Sequence, residues 1–179
     1  MPVRLRNEDG FLLIELLAAT VIITVALLAL LGAYDQAWFS LHSGAKNSSA
    51  GIVANNQLEL YASLSYCAIA LDPTVLTSTK ATDSTYSTDE ASLSGTGTDA
   101  TYSSSTCTTS LPAQSVPVQT VTGGDGHRYK LETFIRTMAN PTATSWNEKV
   151  VTVIVRDLST TGNPKVVTLQ TAFDQGPSS

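Results

Sequence analysis

The chain has 179 residues, with 10 Lys and Arg against 15 Asp and Glu for a net charge of -5, and 42% of its residues are hydrophobic. So few cations exclude a protein whose main task is nucleic-acid binding, which needs a basic footprint. Beyond an N-terminal apolar run, the length leaves room for one hydrophobic core.

Arg4 and Arg6, then the acidic Glu8 and Asp9, precede Gly10 in a short polar leader, residues 1–10. Residues 11–33 form an apolar run interrupted by a single charge, Glu15. As a helix this run measures roughly 34 Å, against a hydrocarbon core of about 30 Å, so it can span a bilayer. The arginines ahead of it, with no basic residue after it until Lys46, put the leader in the cytoplasm and the rest outside. A secretory signal core is shorter than this run, and a plain signal anchor leaves Glu15 unexplained. A charge inside such a span costs on the order of 3 kcal/mol and calls for a partner.

Leader, Gly10, Phe11, three aliphatics, Glu15 and an unbroken apolar helix, in that order, resemble the signal of type IV prepilins and type II secretion pseudopilins. The resemblance implies that a prepilin peptidase cuts after Gly10, leaving Phe11 as a methylated N-terminus. It further implies that Glu15 pairs with the Phe11 amine of a neighbouring subunit in a filament. Glycine suits such a junction, having no Cβ to obstruct a protease, and an opposite charge at hydrogen-bond distance offsets the desolvation of a buried carboxylate. The fold it implies is α+β, with a long N-terminal helix, transmembrane in its first half, packed on a C-terminal antiparallel β-sheet.

The residues downstream fit that outline. No proline occurs between Pro2 and Pro73, and residues 34–71 continue as the extracytoplasmic half of the helix, with Val53, Leu60, Leu64 and Leu71 on one face. The stretch around Asn55 to Tyr66, with its Leu-Glu pair, is similar to the helix end of minor pilins. Gly32 marks either a soft point in the helix or a close-packing position. Residues 72–128 change character: more than half of those from 74 to 110 are Ser or Thr, which predicts a surface-exposed loop region with little buried. Asn47-Ser48-Ser49 adds an N-glycosylation pattern. Cys67 and Cys107 both fall on the predicted oxidising side; a disulfide or two separate thiols are the alternatives, the first favoured. A Gly123-Gly124-Asp125-Gly126 turn leads into the sheet region, 129–179. Strands are predicted at 129–137, 149–157 and 165–173, the last two as a hairpin with its turn at 159–164; Asn140, Pro141 and Trp146 lie in the loop before the second, and the tail from 175 reads as frayed.

No catalytic motif or cofactor site is read in the chain. His42 and His127 belong to no catalytic or metal-binding sequence motif, and Asp83, Asp89, Glu90 and Asp99 match no calcium loop. The expectation is a structural minor pilin of a type IV pilus, held in the cytoplasmic membrane with its C-terminal domain outside until it joins a surface filament. Its expected partners are other pilin subunits, the prepilin peptidase, an assembly platform and the lipid bilayer. A type II secretion pseudopilin is the alternative; a signal-anchored binding or enzymatic domain is the reading from another class.

Overall fold

The computed structural model describes residues 9–93, 97–139 and 147–175, without the side chains of residues 9–12 and 139. Residues 1–8 of the predicted leader, the Asn140, Pro141 and Trp146 loop and the tail beyond 175 lie outside the described residues. The chain divides into two units, residues 1–44 and 45–179. Helix α1, Asp9–Ala62, contributes 54 residues to them. The first unit is described only by this helix. In the second, α1 is followed by a 3-10 turn at Tyr66–Ala68, α2 at Pro73–Thr82, α3 at Ser84–Ser92, and five strands: β1 Thr98–Asp99, β2 Val118–Thr122, β3 Arg128–Ala139, β4 Asn147–Asp157 and β5 Lys165–Asp174.

The sheet is antiparallel throughout, with β3, β4 and β5 side by side and β1 and β2 both paired to the outer edge of β3. Side chains alternate between its faces. On one face stand Tyr129, Leu131, Thr133 and Ile135 beside Val151, Val153 and Val155. On the other stand Lys130, Glu132 and Phe134 beside Thr152, Ile154 and Arg156. Every residue of β4 from Val150 to Asp157 is buried, so both faces are covered at this central strand, whereas β5 alternates exposed with half-buried residues, as on a sheet edge with one wet side.

The second part of α1 covers the first face. Its buried residues are Ser49, Ala50, Ala54, Gln57 and Tyr61, spaced at the helical period. The aliphatic stripe predicted at Val53, Leu60 and Leu64 is only partly buried. The alanines allow the helix backbone to approach the sheet closely, and the larger side chains flank that contact. Leu71, predicted on the same stripe, is buried but lies beyond the helix. Helix α1 ends at Ala62 and not near 71, because the chain there is claimed by other partners. Lys149 Nζ donates to the carbonyls of Tyr66 and Ile69, each at 2.8 Å, and Leu71 bridges to Thr101.

The other face carries the principal correction. The Ser/Thr-rich segment is not simply a loop: α2 and α3 fold from it, and Leu76, Tyr86, Asp89, Ala100 and Cys107 are buried. The Tyr86 ring stacks on Phe134 at 4.4 Å, and its hydroxyl donates to the Thr133 carbonyl at 3.0 Å. Asp72 opens α2 by accepting from the amides of Thr74 and Val75, with Pro73 in the first turn. Asp83 opens α3 through the amides of Thr85 and Tyr86. Both are standard N-caps.

Candidate functional site

The residues singled out by the sequence fall in two places. Gly10, Phe11 and Glu15 lie in the first two turns of α1; the Phe11 side chain is outside the described residues. From residue 13 to 44 every side chain is exposed, Glu15 included. Leu13–Ala62 is the one helix among the described residues long and apolar enough to cross a membrane. The threonine hydroxyls within the apolar run are satisfied locally: those of Thr20 and Thr24 donate to the carbonyls of Leu17 and Val21 at 2.9 and 2.8 Å. A helix whose backbone and hydroxyls are internally paired suits a medium without water.

Cys67 and Cys107 are joined as a disulfide, S–S 2.06 Å, across 40 residues. It ties the 3-10 turn after α1 to the segment following β1. Lys149 braces the same turn. Besides its two carbonyl contacts, its ammonium lies 4.6 Å from the centre of the Tyr66 ring, and burial lowers its pKa. Sequence reasoning placed Lys149 at a strand start without this role.

Two further clusters hold the second unit together. The glycine turn predicted at 123–126 meets α1: Asp125 accepts from the Ser49 hydroxyl at 3.1 Å and the Tyr129 hydroxyl at 2.6 Å. A Cβ at Gly123 would overlap the Ser49 hydroxyl and the Tyr129 ring, so the approach requires glycine. His127 Nδ1 lies 3.2 Å from Asp125. Beside it, Lys46 pairs with Asp157 at 2.7 Å, and Asp157 also accepts from the Ser159 amide and the Thr160 hydroxyl at the hairpin turn. Burial pushes the Asp157 carboxyl up, but Lys46 and these hydrogen bonds outweigh it and hold the pKa well below the usual range.

On the opposite face the acidic residues of the Ser/Thr-rich segment are taken up by cations of the chain. Asp83 pairs with Lys130 at 2.6 Å, Asp89 with Arg156 at 2.5 Å and Lys165 at 2.7 Å, and Glu90 and Asp99 with Lys80. Glu132, fully buried, is held by Lys130 at 2.7 Å and Arg156 at 3.1 Å. Its pKa is raised, first by burial. Among the described residues no group of His, Cys, Asp and Glu is placed to hold a metal ion.

Comparison with family models, curated proteins and solved structures finds no match. The architecture of a long N-terminal helix on a C-terminal antiparallel sheet nonetheless resembles that of pilin-like proteins. The Asn47 pattern is unsuited to modification in the fold. Ser49, its hydroxyl member, is buried inside a helix and bonded to Asp125.

Proposed function

We propose that this chain is a structural, non-catalytic subunit of a type IV pilus-like filament, inserted in the cytoplasmic membrane, cut after Gly10 by a prepilin peptidase and extracted through its N-terminal helix. The observation that carries this reading is the order of Gly10, Phe11 and Glu15 at the head of an exposed apolar helix, whose later turns cover an antiparallel sheet. In the assembled state the Glu15 carboxylate meets the Phe11 ammonium of an adjacent subunit, and low dielectric strengthens that attraction. The Ser/Thr-rich segment contributes α2 and α3 to the fold, so its composition does not distinguish a pilus subunit from a secretion pseudopilin.

Intact-mass and N-terminal peptide analysis of protein from its native host tests the processing step. A mature chain beginning with a methylated Phe11 supports it; retention of Met1 or cleavage near Ala33 overturns it. Assembly is tested with Glu15→Gln and Glu15→Leu, each confirmed to be processed at Gly10. Both should insert normally yet lose incorporation into sheared filaments, because the neighbouring amine loses its partner.

A further inference from the structure

Where the apolar run gives out, α1 carries three large aromatic side chains, Tyr34, Trp38 and Phe39, which are 67%, 62% and 75% exposed. Tyr34 and Trp38 are about one turn apart and share a helix face. Asp35, between them in sequence, is the first charged residue after Glu15. Tyr and Trp combine an apolar ring with a polar atom, and they concentrate where hydrocarbon gives way to headgroups.

We propose that Tyr34, Trp38 and Phe39 anchor the chain in the outer headgroup layer of a phospholipid bilayer and so fix the depth of Glu15. This rests on the membrane-inserted state of the proposed function. The helix rises about 28 Å from Glu15 to Tyr34 and about 34 Å from Glu15 to Trp38, against a hydrocarbon core of about 30 Å. With the rings at the outer boundary, Glu15 reaches the inner boundary and its side chain extends to the headgroups. Between the two levels the polar side chains are Thr20 and Thr24, both satisfied by their own helix. The unassembled chain therefore keeps its lone carboxylate hydrated, and the cost of burying it arises only when the helix moves outward. The aromatic set then acts as a depth stop that any extraction must overcome.

The chain has two tryptophans, so Trp146→Phe leaves Trp38 as the sole emitter in the full-length protein. This variant is reconstituted into phosphatidylcholine vesicles whose acyl chains carry bromine either near the headgroup or near the chain end, and floated on a density gradient. The expected result is severalfold stronger quenching of Trp38 by the headgroup-proximal bromines. Stronger quenching by the chain-end bromines, or none by either because the ring is exposed or packed against a second copy, overturns the anchor while the floated chain preserves the membrane reading. A chain that does not float overturns both. For depth, the thiol of Glu15→Cys should react readily with an impermeant maleimide added on the leader side, since Cys67 and Cys107 are bonded to each other. Adding Tyr34→Leu and Trp38→Leu should slow that reaction severalfold; an unchanged rate overturns the depth assignment.

Discussion

The two parts of α1 obey opposite rules of burial although they belong to one helix. In residues 13–44 the large aliphatics point outward, with Leu16, Ile22 and Leu28 among the most exposed side chains. In residues 45–62 the fully buried positions are Ala50, Ala54 and Tyr61, while Ile52 is exposed. The difference teaches that side-chain size reports the medium, and that small residues report close contact. Leucine and isoleucine suit lipid on all sides, whereas a helix lying on a sheet needs alanine where the backbones approach. In soluble helices the apolar stripe faces the core; here the most apolar part of the helix is the part that the chain itself leaves uncovered.

The comparison can be broken most severely at the disulfide. Cys107→Ser should destabilise the second unit by about 4 kcal/mol in the chain-entropy account of a 40-residue loop, read by urea unfolding of the full chain in detergent. No change in the helical signal of the first unit is expected, and a parallel loss there would show that the two parts are not independent. Next comes Arg156→Leu, which strands Asp89 and Glu132 against the sheet; the expected cost is about 3 kcal/mol, with Lys130 and Lys165 limiting it. Ala54→Leu inserts bulk at a position with no exposure and should cost about 2 kcal/mol through overpacking.

Acid should act on the second unit more gently. Burial raises the Asp157 and Asp89 carboxyls, but their cationic and hydrogen-bond partners prevail and hold both pKa values low. A carboxyl with a depressed folded pKa contributes stability that is full above the ordinary aspartate value and is lost as pH falls toward the folded one. Glu132 opposes this, since its raised pKa favours proton uptake by the folded state. Stability should therefore decline below about pH 4, and Asp157→Asn should flatten that decline in an unfolding titration. The smallest effect is expected of Ile22→Ala, an exposed position of the first unit, which should move the unfolding of the second by under about 0.5 kcal/mol.

Much of this fold is legible in the residues. Strands β3, β4 and β5 lie within two residues of the predicted ranges at either end, because runs of Val, Ile and Thr bounded by turn residues admit few other structures. The glycine turn and the long helix are equally plain. Helices α2 and α3 are not, since serine and threonine carry little helix propensity and composition masks position. Their signal lies in Asp72-Pro73 and Asp83-Ser84, a capping carboxylate at each start. The charges that fasten α3 to the sheet come from residues far apart in sequence, and no spacing rule joins Asp89 to Arg156. The candidate processing and assembly residues are legible only as a resemblance, for their chemistry requires a peptidase and a neighbouring subunit.

The Cys67–Cys107 bond also decides how the chain carries tension. A pull transmitted along α1 reaches Cys67 soon after the helix ends at Ala62 and crosses directly to Cys107, so α2, α3 and β1 lie outside the covalent load path. The bond withholds about 130 Å of contour length, the extent of some 40 extended residues. Reduction would put that slack in series with the sheet, visible as an added unfolding increment of that length in single-molecule force extension. With the bond intact, force bypasses the segment richest in serine and threonine and arrives at the strands.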